Sequence, residues 1–242
     1  MSRILRSVVL AGVATLAIAT GAHAAGNASA KIMLHSLTTT TKNPCTRATN
    51  VPAACGGYDN GVSNQTLTSG TPAFHYVYLL VVNGSQVEGI AGVQCGINYN
   101  GAEFVGVDVF TWSLCATLEF ASTGWPNAGG GNLITWDATT RCQTAGNATI
   151  GAVAVAGFFY MGAYTPDVMR VTPRPVDALA KVANCGSVED IVFSPAGDDA
   201  HTFLGAVGFG PGNTGINPCG RELVLPVEPT SWSAVKTLTS TN

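Results

Sequence analysis

Two adjacent carboxylates, Asp198 and Asp199, are the residues of this sequence best suited to holding a metal ion. They lie in the polar segment SPAGDDAH, close to His201. Ca²⁺ prefers several oxygen ligands in a flexible loop, and this pair with a nearby carbonyl could provide them. The segment lacks the regular acidic spacing of an EF-hand, and a solvated turn explains it more simply. The sequence therefore suggests no cofactor beyond this candidate calcium ion.

The tryptophans are the side chains that could stack on a sugar ring. Trp112 alternates with Phe110 and Leu114, and Trp136 with Ile134, so we predict that these residues point into a core. Trp125 stands before a proline in a loop instead. We expect Trp125 to be the exposed ring and the contact for a ligand.

The sequence contains few of the motifs that indicate a hydrolase. Neither GxSxG nor HExxH occurs. Glycoside cleavage needs only two carboxylates that the fold brings together, so it leaves no signature in sequence spacing. The acids available for such a pair are Glu103, Asp108, Glu119, Asp137, Glu189 and Asp190. We predict a protein that is not an enzyme, with an extracellular hydrolase as the least favoured alternative.

Two glycine-rich stretches resemble phosphate loops only in letters. GPGNTG, residues 210–215, fits GxGxxG, but the following INPCGRELVLPVEP contains prolines and has no helical period. A dinucleotide site requires a helix at that point. WPNAGGGN, residues 125–132, lacks the Lys-Ser/Thr of a P-loop. We interpret both stretches as connections between strands.

Seven cysteines in a chain with a secretory signal indicate disulfides and one leftover thiol. No CxxC occurs, which argues against a structural zinc site. Cys45 and Cys55 would close a small local loop at little entropic cost, so we predict that they pair. Cys95 alternates with Val93 and Ile97 and should point inward, which makes it the candidate for the free, inert thiol.

The N-terminus has the features of a secretory signal peptide. Arg3 and Arg6 precede an apolar run, and Ala22 and Ala24 form a cleavage signal, so residues 1–24 should be removed. Without those two arginines, nine basic residues stand against 14 acidic ones, a net charge of −5. Binding to nucleic acid needs many cations, so we exclude it. We also expect no transmembrane segment in the mature chain, which should be extracellular, on the cell surface or periplasmic.

Short alternating segments separated by turn residues dominate the rest of the chain. The long apolar segment 150–164 has the length of a helix, but its three glycines favour a strand in the middle of a sheet. At least eight strands predict an all-β antiparallel sandwich. We assign residues 25–70 to an N-terminal strand and a disulfide-pinned polar segment, 71–225 to the sandwich, and 226–242 to a short helix and tail.

The run GIAGVQCGINYNG resembles a strand of cohesins and related carbohydrate-binding sandwiches, and AVAVAGFFYMGAY and MRVTPRPVDALAKV resemble later strands of that fold. The resemblance covers roughly residues 74–210 as a pattern and departs from it in the many cysteines and the N-terminal TTTTKNPC. The chain is also similar to secreted bacterial proteins of unassigned function that carry an EPT-x-W segment. The likeness implies a cohesin-like or Ig-like jelly roll, while function does not follow from fold.

Low charge and a high content of Thr, Asn and Gly favour a secreted, non-enzymatic protein of adhesion, surface assembly or protein interaction. Its partners would be other proteins or copies of itself, because open sheet edges template association. A carbohydrate-binding module is the alternative, and it requires exposed aromatic rings.

Overall fold

The computed structural model describes residues 26–39, 45, 52–58, 71–195 and 200–220. Twelve strands and one short helix lie in these ranges. The strands are β1 (Lys31–Thr38), β2 (Ala73–Gly84), β3 (Gly92–Asn98), β4 (Val107–Leu114), β5 (Leu118–Ala121), β6 (Gly131–Thr135), β7 (Gly146–Asn147), β8 (Gly151–Ala163), β9 (Asp167–Thr172), β10 (Ala180–Ala183), β11 (Glu189–Phe193) and β12 (Ala206–Phe209). The helix α1 spans Ala200–Phe203.

The strands form two antiparallel sheets, which confirms the predicted all-β sandwich. The first sheet has the order β1-β2-β8-β4, and β7 also pairs with β8. The second has the order β11-β10-β3-β6-β5. Strand β9 pairs with β3 next to β10, and β12 pairs with β9. The segment predicted to be a central strand is β8, which lies between β2 and β4.

The inner core lies between the sheets. It contains Val77, Leu79 and Val81 from β2, and it meets the alternate residues of β3 and β8. Burial of these side chains is the main favourable term, at roughly 1.5 to 3 kcal/mol for each large one. Gly157 of β8 lies directly under the Trp112 ring, where a Cβ atom would collide with the indole. A glycine at this position therefore lets a tryptophan cross a central strand.

A second apolar group, which we call the outer cluster, lies on the opposite face of the first sheet. Its members are Met33, Tyr58, Tyr78, Leu80, Val82, Ile150, Val153, Val155, Phe158 and Cys219. Tyr58 and Cys219 come from short segments outside the strands, a 3₁₀ turn at Cys55–Gly57 and a turn near residue 219. The first sheet is therefore covered on both faces.

Three disulfides hold these segments, and the predicted Cys45–Cys55 pair is wrong. Cys45 pairs with Cys115, Cys55 with Cys219, and Cys142 with Cys185. Cys45 and Cys55 do not pair because the low entropic cost of a short loop is not what decides their partners. Tertiary packing places both cysteines against the outer face of the first sheet, next to partners 70 and 164 residues away.

The predicted start of the sandwich and the two predicted terminal segments can be compared with the described residues. Strand β1 lies at the edge of the first sheet, paired with β2 along its whole length, so the sandwich starts at Lys31 and not at residue 71. The predicted signal peptide and the predicted C-terminal helix fall outside the described residues. Within the described ranges, no helix is long and apolar enough to cross a membrane.

Candidate functional site

One end of the sandwich carries a cleft of about 310 Å³, which we call the aromatic cleft. The connection between β3 and β4, the start of β4 and the loop before β6 form its walls. Its lining residues are Tyr99, Gly101, Glu103, Phe104, Asp108, Val109, Phe110, Asn127 and Ala128. The cleft therefore combines three aromatic rings with two carboxylates.

Phe110 reaches this cleft because β4 contains a bulge. Val109 pairs with Met161 and Thr111 with Tyr160, so Phe110 has no partner of its own across β8. A bulge adds one residue and shifts the alternation of the side chains. Trp112 consequently packs toward the inner core as predicted, whereas Phe110 is 42% exposed on the other face. The prediction that Phe110 points inward is wrong for this reason.

Phe104 is held outward by its own turn. Its backbone has φ 60, a left-handed conformation uncommon for a residue with a side chain. The Phe104 N–H donates to Asp108 Oδ2 at 3.0 Å, and the ring packs edge-on against Tyr164. The side chain remains 59% exposed despite these constraints. The turn thus fixes an aromatic ring in water.

Asp167 supports the wall of the cleft from behind. Its Oδ2 accepts the backbone N–H groups of Asn100 and Val107, and its Oδ1 accepts that of Val168. The Tyr99 hydroxyl donates to the Pro126 carbonyl at 3.1 Å. Burial, and then the charges of Asp108 and Asp167, raise the pKa of Tyr99 to about 12. Tyr99 is therefore a neutral hydrogen-bond donor at every ordinary pH.

Trp125, the expected exposed ring, is half-buried and packs against the inner core. Its ring lies edge-on to Trp112 at 5.1 Å between centroids and contacts Phe159 at 5.5 Å. Trp125 is therefore only partly exposed, so the prediction of a fully exposed ring is wrong, and its contact with a ligand stays a prediction. The sequence of the loop does not reveal this packing, because neighbours from the first sheet, Trp112 and Phe159, decide where the Trp125 ring lies.

Glu119 closes the same side of the sandwich. Its Oε2 accepts both the Trp112 indole N–H at 2.8 Å and the Asn132 side-chain amide at 2.7 Å. Trp112 belongs to the first sheet, whereas Glu119 and Asn132 belong to the second. This carboxylate is thus a structural bridge between the sheets.

Other acids considered for hydrolysis also bind protein donors. Asp190 accepts the Asn27 N–H, Asp137 accepts the N–H groups of two following threonines, and Glu189 binds Lys181. Glu103 and Asp108 lie in the aromatic cleft. Asp190, Asp137 and Glu189 therefore have structural partners, whereas Glu103 and Asp108 share an open surface, where Asp108 also accepts the Phe104 N–H.

The second sheet ends in an edge strand with apolar side chains, β5, whose one partner among the described strands is β6. Leu118 and Phe120 are 51% and 53% exposed on its outer face. Glu119, the one charged residue of the strand, points inward to Trp112. No charge on this strand therefore opposes pairing with another strand. We call β5 with these two side chains the β5 edge.

Asp198 and Asp199, proposed as calcium ligands, fall outside the described residues. Among the residues that are described, no three histidine, cysteine or carboxylate side chains come together as metal ligands. Cys95 has no disulfide partner and is fully buried in the inner core, as the alternation of β3 predicts. Burial raises the pKa of its thiol to about 12, which keeps it uncharged.

No protein-family model matches the chain, and no curated protein matches it. Among solved structures, it is similar to a cohesin module from a family 33 glycoside hydrolase of Clostridium perfringens. The likeness has 8% identity and a TM-score of 0.36, and it covers 57% of this chain and 86% of the module. This likeness is too distant to transfer a ligand or an activity.

Proposed function

We propose that the protein is a secreted, non-enzymatic β-sandwich of adhesion or extracellular assembly that joins other copies of itself through the β5 edge. The observation that supports this proposal is the exposed pair Leu118 and Phe120 on a strand that lies at the end of its sheet, with β6 on one side and no paired strand among the described residues on the other. Natural edge strands are usually protected by charges, prolines or covering segments. Among the described residues the β5 edge has no such protection, and an edge of this kind is suited to receive a strand from another chain.

Other properties are consistent with a protein that works outside the cell. Its three disulfides persist in oxidising compartments and are rare in reducing ones. Two of them, Cys45–Cys115 and Cys55–Cys219, join residues in or against the outer cluster. The disulfides therefore hold the segments that cover the outer cluster against the first sheet.

The experiment that tests this function measures the size of the chain 25–242 by multi-angle light scattering over a range of concentrations. We expect dimers or larger assemblies, which Leu118→Lys and Phe120→Lys convert to monomers. Ile191→Lys is the matched control, because Ile191 is 54% exposed on β11, the strand at the other end of the same path of paired strands.

Two outcomes would overturn the proposal. Stable monomers of the unmodified chain at every concentration would exclude self-assembly. Assemblies that survive both lysine substitutions would show that the β5 edge is not the joint. Electron microscopy of the same samples distinguishes closed dimers from filaments, because a joint that pairs with itself closes and a head-to-tail joint does not.

A further inference from the structure

The aromatic cleft is lined by other residues than the β5 edge, and its chemistry is different. Tyr99, Phe104 and Phe110 supply aromatic surface, while Glu103 and Asp108 supply negative charge. Among the described residues, neither a lysine nor an arginine lines it. A bound group that satisfied this lining would be positively charged and partly apolar.

Electrostatics extend the negative character beyond the lining. Asp167 stands behind the wall and adds a third carboxylate near Tyr99. Burial raises the pKa of Tyr164, and the charges of Asp108 and Glu103 add to the effect. The ring of Tyr164 also contacts Phe104. Three carboxylates thus act on the same small group of rings.

Aromatic faces attract cations through the ring quadrupole, at roughly 0.5 to 2 kcal/mol according to exposure. A carboxylate beside such rings adds Coulomb attraction and a hydrogen-bond acceptor. A neutral sugar would use the rings and could donate hydroxyl hydrogen bonds to the carboxylates, but only a cation adds charge–charge attraction to those bonds. The acids therefore favour a cationic ligand over a neutral one.

We propose that the aromatic cleft receives a cationic side chain, a lysine or arginine, from a partner protein. Its aliphatic stem would lie along Phe104 and Phe110, as long basic side chains cover apolar surface with the charge kept at the rim. Glu103 and Asp108 would bind the charged head. This site adds a point of recognition separate from the β5 edge and does not depend on assembly there.

The test uses nuclear magnetic resonance titration of the full chain with Nα-acetyl-arginine amide. Nα-acetyl-citrulline amide is the matched probe, because it has nearly the same shape and no charge. We expect shifts confined to residues 99–110 and 127–128, with affinity about tenfold weaker for citrulline, since a tenfold ratio needs only a modest free-energy difference. Sodium chloride at equal ionic strength controls for general salt effects.

Variants locate the effect within the cleft. Glu103→Gln should weaken arginine binding about threefold to fivefold, as expected for loss of one charge at a solvated site. Phe104→Ala should weaken the binding of both the arginine and the citrulline probe, because the substitution removes aromatic surface. Glu189→Gln is the control, since Glu189 binds Lys181 and lies outside the cleft lining.

The results separate the alternatives. Equal affinity for arginine and citrulline, or no effect of Glu103→Gln, would overturn a cation site. Shifts in the cleft with cellotriose but not with arginine would assign it to carbohydrate and would also overturn the proposal. Absence of shifts with all three probes would exclude a small-ligand site there. The cleft result is separate from the light-scattering result, because no assembly is needed for either probe to bind.

Discussion

The inner core and the outer cluster are both apolar, but they are closed in different ways. The inner core is closed by two sheets, whose backbone groups pair within each sheet. The outer cluster is closed on one side by a sheet and on the other by short segments that carry Cys45, Cys55 and Cys219. Short segments without a core of their own gain little from packing. Disulfides do for the outer cluster what a second sheet does for the inner core.

The neighbours Phe158 and Phe159 of β8 test this comparison most directly, because they point to opposite faces. Phe159→Ala should lower the free energy of unfolding by about 3 to 5 kcal/mol, since its cavity lies between two rigid sheets. Phe158→Ala should cost about half as much, because the covering segments can relax into the space. Urea denaturation measures both, and equal costs would contradict the comparison.

Removal of the Cys55–Cys219 disulfide should have the next largest effect. Its sequence separation of 164 residues is the longest of the three. Serine at both positions should lower the free energy of unfolding by about 2 to 4 kcal/mol. It should also expose the outer cluster, which a fluorescent dye that binds apolar surface would detect. The Cys142–Cys185 pair is the control: its removal should destabilise without dye binding, and dye binding by both variants would undo the distinction.

Lys31 is a charge placed among apolar side chains, and its replacement should be stabilising. The side chain is 2% exposed, and its ammonium group lies 4.1 Å from the centre of the Phe203 ring with no hydrogen-bond acceptor. Burial lowers its pKa below the ordinary value of 10.5. Lys31→Met should raise the free energy of unfolding at neutral pH by about 1 to 3 kcal/mol, because no carboxylate among the described residues pairs with the buried charge.

The pH dependence of that change follows from proton binding. Between the lowered pKa and 10.5 the unfolded chain binds more protons at Lys31 than the folded chain, so stability rises with pH in this window. The advantage of methionine should therefore shrink as pH approaches 10.5. Thermal unfolding of both chains from pH 7 to 10.5 measures it. An advantage that grows with pH, or a loss of stability at pH 7, would show that the ammonium is well satisfied.

The inter-sheet bridge at Glu119 should give the smallest effect of this series. Glu119→Gln removes a charged acceptor shared by Trp112 and Asn132 and should cost about 1 to 2 kcal/mol. Glu189→Gln, at an exposed ion pair with Lys181, should change stability by less than about 1 kcal/mol. Indole fluorescence during denaturation reports both variants. Equal effects would show that the bridge adds nothing beyond a surface contact.

The alternation of side chains along a strand predicted which residues point into the core. The prediction was wrong where a β-bulge shifts the alternation. The pattern of β3 correctly assigned Cys95 to the core, and the glycines of β8 correctly favoured a strand over a helix. The bulge in β4 defeated the same reasoning at Phe110. The bulge is a property of the pairing between β4 and β8, so the amino-acid sequence of β4 alone does not reveal its position.

The sequence by itself determined that this protein is built from antiparallel strands and that an odd cysteine remains. Those properties depend on side-chain period and on counting, which are local. Only the tertiary structure decided the disulfide partners, the inward packing of Trp125 and the inward turn of Glu119 that leaves the β5 edge uncharged. Each of these requires groups far apart in sequence to meet, and their meeting depends on how the two sheets stack.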